Sequence, residues 1–186
     1  MLLILCLRNE RDIYKLSIRR AVITVAISVV TSLAMGSSIV AGAATLSADD
    51  KTFIMKASQA GMMEVRIGQI AKQKAKSDET RAFAESMMTD HSKANARLRA
   101  IAEKKGVEVS TTFDGEHQAM VDRFIAMNKV GFDRVYANQI VADQRRLLAA
   151  FEIQSGKGDH DLQKFAKEMI PIIKEHLQMA ERLNAL

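Results

Sequence analysis

The sequence is poor in the residues on which several protein classes depend. Its 186 residues include one cysteine, one proline, two tyrosines and no tryptophan. The single cysteine, Cys6, excludes a disulfide scaffold and a zinc site built from thiolates. Scarce proline and an aromatic share of 5% argue against a β-sandwich, because strands favour aromatic and β-branched side chains. There is no Gly-x-Ser-x-Gly elbow, no Gly-rich phosphate loop and no dinucleotide fingerprint. Nothing therefore supports nucleophilic catalysis. A basic stripe interleaved with aromatics is also missing, so no nucleic-acid partner is expected. What is present points to helices. The hydrophobic share is 48%, too high for a disordered chain, and eleven Met accompany many Ala, Lys, Gln and Glu.

The first segment reads as a targeting signal. Arg8, Arg11, Lys15, Arg19 and Arg20 outnumber Glu10 and Asp12, and an uncharged run follows from Ala21. Ala21–Met35 is strongly apolar, Gly36–Ala44 is small and weakly apolar, and Ala41-Gly42-Ala43 fits a small-x-small cleavage site. The expected division is a signal peptide over residues 1–43 and a folded domain over 44–186, exported to the periplasm or a similar extracytoplasmic space. The competing reading is an uncleaved membrane anchor, because the run over residues 21–46 exceeds the about 20 residues that span a bilayer. Membrane contact is expected only through that run. Cys6 precedes the apolar run, so it is not placed like a lipoprotein cysteine. Without residues 1–43 the chain keeps 22 basic and 20 acidic residues, so its basic character belongs largely to the targeting segment.

The remainder shows helical periodicity. Ser47-Ala48-Asp49-Asp50 reads as a capping box, and Phe53, Ala57, Ala60, Glu64, Ile67 and Ala71 then step by four and three. A second helix, about Asp78–Lys105, carries Phe83, Met87, His91, Ala94, Leu98 and Ile101 on one face. A short helix, about Glu116–Asn128, is expected to bury Met120, Phe124 and Met127 after an irregular stretch over Val107–Gly115. Phe132–Gln154 forms the third long helix, with Phe132, Tyr136, Ile140, Asp143, Leu147 and Phe151 inward. The last helix starts at Asp159 or His160 and faces Leu162, Ala166, Met169, Ile173, His176 and Ala180 inward, with Pro171 inside it. The expected fold is all-α: an antiparallel four-helix bundle with one short extra helix.

Each long helix interrupts its apolar stripe with polar residues: Glu64, Asp90-His91, Asp143-Gln144 and Glu175-His176. Buried charges are costly unless paired, so such groups cluster. One solution is a hydrogen-bonded polar layer of carboxylates and imidazoles. The other is a metal held by Glu64, His91 and His176. A di-iron site needs Glu-x-x-His on two helices, and Met88 and Ile173 occupy the positions where those glutamates would stand. His117 and His160 are expected at the surface. The Met pairs are expected as core fillers, since adjacent residues diverge on a helix.

Together these residues resemble a known family. Phe53…Glu64-Val65-x-x-Gly68-x-x-Ala71, Phe83-Ala84-x-x-Met87-x-x-Asp90-His91-x-x-x-Asn95-x-x-Leu98, Phe132-Asp133-x-x-Tyr136 and Phe165-Ala166…Pro171…His176-Leu177 are similar to the bacterial exported domain of unknown function 4142. The resemblance covers about residues 49–184. It implies a ferritin-like helical bundle outside the cytoplasm, of undetermined biochemical role. That family often shows a histidine where this chain has Gln144; if it contributed to a metal site, one ligand is lost here. Two functional classes follow. The first is a structural, binding or envelope-stress protein, with a protein partner or oligomer left open. The second is a metal-binding or oxidoreductase bundle whose cofactor would be a metal ion on Glu64, His91 and His176.

Overall fold

The computed structural model describes residues 46–185. The targeting segment expected over residues 1–43 lies outside the described residues. Among those described there are five helices: α1 (Ala48–Lys74), α2 (Asp78–Lys104), α3 (Gly115–Ala126), α4 (Phe132–Gly156) and α5 (His160–Asn184). They agree with the periodicity to within two residues at most ends, although α3 starts one residue early and α4 runs on to Gly156. The chain is all-α. None of the described helices is long and apolar enough to cross a membrane.

The helix starts follow local chemistry. Ser47, Ser77, Asp114 and Asp159 cap α1, α2, α3 and α5 with side-chain oxygens that accept backbone N–H groups. α4 has no such cap; Gly131 enters it in the left-handed region at φ 73°, which suits a residue without a Cβ. Pro171 lies on the exposed side of α5, and the helix continues through it.

Side chains show which helices meet. α1 faces α2 through Glu64 and His91 and through Lys72 and Glu85 at 3.1 Å. The two backbones approach closely at Gly68, where an added Cβ would sit 2.7 Å from Met88 Cγ and 3.3 Å from the Ala84 carbonyl oxygen. α1 meets α4 through Phe53 and Phe151, whose ring centroids are 5.0 Å apart in an edge-to-face contact. α4 meets α5 through Phe151 and Phe165 at 5.8 Å and through Arg145 and Glu181 at 2.7 Å. α2 reaches α5 through Arg97 and Glu168 and through Lys105 and Asp159. The short α3 packs on α1 and sends Phe124 against Phe132 and Tyr136.

The apolar interior forms two clusters. One includes Phe53, Ala57, Ala94, Leu98, Leu147 and Ile173. The other includes Ile67, Phe83, Met87, Tyr136, Ile140 and Ala180. On three long helices the boundary between them falls at a polar residue: His91 between Met87 and Ala94, Gln144 between Ile140 and Leu147, His176 between Ile173 and Ala180; on α1 it falls just before Glu64, since Met63 already belongs to the second cluster.

Candidate functional site

Those four polar residues come together. Glu64 is fully buried, His91 is 4% exposed, Gln144 is fully buried and His176 is 2% exposed. The Gln144 Nε2 donates to Glu64 Oε1 at 2.6 Å and lies 3.4 Å from His91 Nε2. His91 Nδ1 stands 3.0 Å from Glu64 Oε2, a close ion-pair contact that falls short of an aligned hydrogen bond. His176 Nε2 contacts Asp90 Oδ2 at 3.1 Å, and the two imidazole rings are 5.4 Å apart, centroid to centroid. Four buried polar atoms in and around the layer have no hydrogen-bond partner: Glu64 Oε2, Gln144 Oε1, Tyr136 Oη and His176 Nδ1.

The two histidines are tuned in opposite directions. Burial pushes the His91 pKa down, but the Glu64 carboxylate beside it outweighs burial and raises it above its ordinary value near 6.5. Burial lowers the His176 pKa, and the neighbouring His91 lowers it further, against the pull of Asp90 and Glu64. Tyr136 is pushed up by burial and by Glu64, so its phenol stays protonated. Beside His91 a cavity of about 20 Å³, walled largely by apolar residues such as Leu98, Leu147 and Ile173, has the size of about one water.

All three sequence-predicted metal candidates, Glu64, His91 and His176, thus belong to one layer. They fall into two sets of contacts, Asp90–His176 and His91–Glu64–Gln144, which meet only where the two imidazole rings face each other, rather than converging on a common point. Among the described residues no group of three or more His, Cys, Asp or Glu side chains has a metal-holding arrangement. Glu175 is exposed and outside the layer, as its place about 100° around α5 from His176 implies. One expectation needs correction. His117 is half-buried rather than exposed: its Nδ1 and its backbone N–H both contact Asp114 Oδ1, at 2.7 and 2.9 Å, so it helps to cap α3. His160 is exposed as expected. Asp143 is buried, but about 100° around α4 from Gln144, where it is held by Gln139 and Arg146. Burial and the nearby Glu64 raise its pKa against those two partners.

Periodicity missed several long-range polar contacts of buried and half-buried residues. Asp50 accepts from Gln154 Nε2 at 2.8 Å and from the Asp159 N–H at 3.2 Å. Asp133 accepts the N–H groups of Lys76 and Ser77, both at 3.1 Å. Lys74 donates to the carbonyls of Phe124, Ile125 and Met127 at the end of α3. Gln59 bonds Thr112 and Asp114 in the loop before α3.

Comparison with known proteins agrees with the motif reading. The sequence matches the family described as "Domain of unknown function (DUF4142)" over residues 36–183. The chain belongs to this family. No curated protein matches it. Among solved structures it is similar to a crystal structure of a DUF305 fragment from Deinococcus radiodurans, with a TM-score of 0.66 at 11% identity, over 76% of this chain and 99% of that one. At that identity the likeness concerns the fold alone. At position 144 the Gln144 amide donates to Glu64.

Proposed function

We propose that this DUF4142 protein is an exported, non-catalytic bundle, its signal ending at Ala43, that acts as a structural, binding or envelope-stress protein in the periplasm. Its polar layer is a register device. The four long helices are read as an antiparallel, ferritin-like bundle. The contacts 53 with 151 and 64 with 144 for α1 and α4, and 90 with 176 and 97 with 168 for α2 and α5, support that reading. The observation that carries the proposal is the layer of contacts among Glu64, His91, Gln144, His176 and Asp90 between two apolar clusters. Sliding one helix by a turn would leave a charge facing oil, so the layer fixes alignment, as a buried polar residue does in a coiled coil.

The second reading is a metal-binding or oxidoreductase bundle using Glu64, His91 and His176. His176 Nδ1 favours it, since it is buried without a hydrogen-bond partner, and so does Glu64 Oε2, whose contact with His91 Nδ1 at 3.0 Å is not a hydrogen bond. Elemental analysis of untagged protein, as purified and after incubation with iron, manganese, copper and zinc, separates the readings. Sub-stoichiometric metal in every sample supports the structural layer. Stoichiometric metal that is lost in His176→Leu supports the second reading and overturns the first.

A further inference from the structure

We propose that the groove between α1 and α4 binds a single-chain amphiphile with an anionic head, of the fatty-acid class. The groove shares Ala57, Leu147 and Phe151 with the small cavity beside His91 but is lined by none of Glu64, Asp90, His91, Gln144 and His176, and either proposal can fail without the other. The groove has a volume of about 920 Å³, within the range of roughly 300–1,000 Å³ for small-molecule sites. Its floor is apolar, with Phe53, Ala57, Leu147 and Phe151. Its lips carry Met55, 40% exposed, and Ile153, 61% exposed, two of the four large hydrophobic side chains exposed among the described residues. The loop before α3 forms a third wall, pinned by Gln59 to Thr112 and Asp114 at 3.0 and 3.1 Å.

Shape and charge select the occupant. A partner helix about 10–12 Å across would fill this volume with only about two turns, far short of the roughly 800 Å² per partner of a stable protein interface. A single acyl chain needs no such width. Four acidic residues line the groove, and three are already engaged: Asp49 with Lys157 at 2.9 Å, Asp114 with His117 at 2.7 Å and Asp143 with Arg146. The fourth, Glu116, sits in the first turn of α3, where the helix dipole partly offsets its charge. Lys56 makes no ion pair among the described residues and is the cation left to receive a head group.

The test is titration calorimetry of the full chain with dodecanoate below its micellar concentration, beside dodecyltrimethylammonium of equal tail length. One dodecanoate should bind per chain, and more tightly than the cationic amphiphile. Ala150→Trp, which fills the groove from an exposed helix position lining it, should weaken both at least tenfold without changing the thermal melt. Lys56→Glu should weaken dodecanoate about tenfold and leave the cationic amphiphile unchanged or improved. Non-saturating uptake, equal binding by Ala150→Trp, or a preference for the cationic head would overturn the proposal. So would a dimer seen by ultracentrifugation that Ala150→Trp abolishes while dodecanoate gives no heat, since that result assigns the groove to a second copy of the chain.

Discussion

His91 and His176 share one buried layer, yet their different neighbours give them opposite titration behaviour. Each histidine ring should be visible by NMR during a pH titration. The His91 midpoint should lie above the ordinary 6.5 and the His176 midpoint below it. In Glu64→Gln the His91 midpoint should fall below that of the parent protein; an unmoved midpoint would show that Glu64 is not its partner in solution. Linkage gives the signs for stability. The raised His91 contributes stability that is present below about pH 6.5 and is lost as pH rises through its folded pKa. The lowered His176 contributes stability that is present above about pH 6.5 and is lost as pH falls through its folded pKa. His176→Leu should therefore gain relative to the parent as pH falls from 7 to 5, measured by urea denaturation. At pH 7 it should be neutral or better, because Asp90, with 31% of its side chain exposed, is solvated once its partner is removed. Glu64, His91, Gln144 and His176 were legible in the sequence because each interrupts an apolar stripe. Asp90 and Glu175 were not separable there. Both adjoin a buried histidine, and only the packing of α2 against α5 sends Asp90 to a partner and Glu175 to water.

At the scale of the helices, what holds their ends is partly local and partly remote. The caps at Ser47 and Ser77 were readable because a cap and its N–H lie within one turn. The remote ties were not, because their partners stand far apart in the chain: 104 residues for Asp50 and Gln154, 50 for Lys74 and Phe124. Burial pushes the Asp50 carboxyl up, but hydrogen bonds from Ser47, Gln154 and Asp159 together hold it below the usual range. That hub joins the start of α1 to the turn between α4 and α5. Gly158 completes it: φ is 87°, and a Cβ there would meet Asp50 Oδ1 at 2.1 Å. Asp50→Ala strands a buried amide and an N–H, and should cost about 1–3 kcal/mol by denaturant melts. Asp133→Ala removes the acceptor of two N–H groups between α1 and α2, which water can reach, and should cost less, about 0.5–1.5 kcal/mol. A loss under about half a kcal/mol in both would show these contacts to be absent in solution. Lys74→Met should instead loosen α3 locally, seen as faster amide exchange over Gly115–Ala126 with global stability nearly kept.

At the scale of the molecule, the polar layer divides one interior into two apolar compartments, and this division separates stability from alignment. The compartments carry stability. Leu98→Ala and Ile173→Ala, both at nearly fully buried sites that border the small cavity, should each cost about 2–5 kcal/mol, because the cavity grows and the helices cannot close it. The layer should contribute little net stability, since desolvating Glu64 and His91 offsets their attraction. The combined variant Glu64→Leu/His91→Leu/Gln144→Leu/His176→Leu fuses the two compartments and removes three buried polar atoms that lack a hydrogen-bond partner, Glu64 Oε2, Gln144 Oε1 and His176 Nδ1. Replacing a buried ionic layer by apolar groups is often neutral or stabilising by about 1–4 kcal/mol, so its melting midpoint should equal or exceed that of the parent. Its uniqueness should suffer, because nothing then penalises a helix that slides by one turn. Amide NMR signals should lose dispersion, or gel filtration should show mixed species. A variant that melts lower by roughly 3 °C, about 1 kcal/mol for a domain of this size, with a well-dispersed spectrum, would reverse the assignment. The layer would then hold the bundle together by energy rather than by register, and its helices would be aligned by shape alone, through contacts such as Gly68 against Met88 and Phe53 against Phe151.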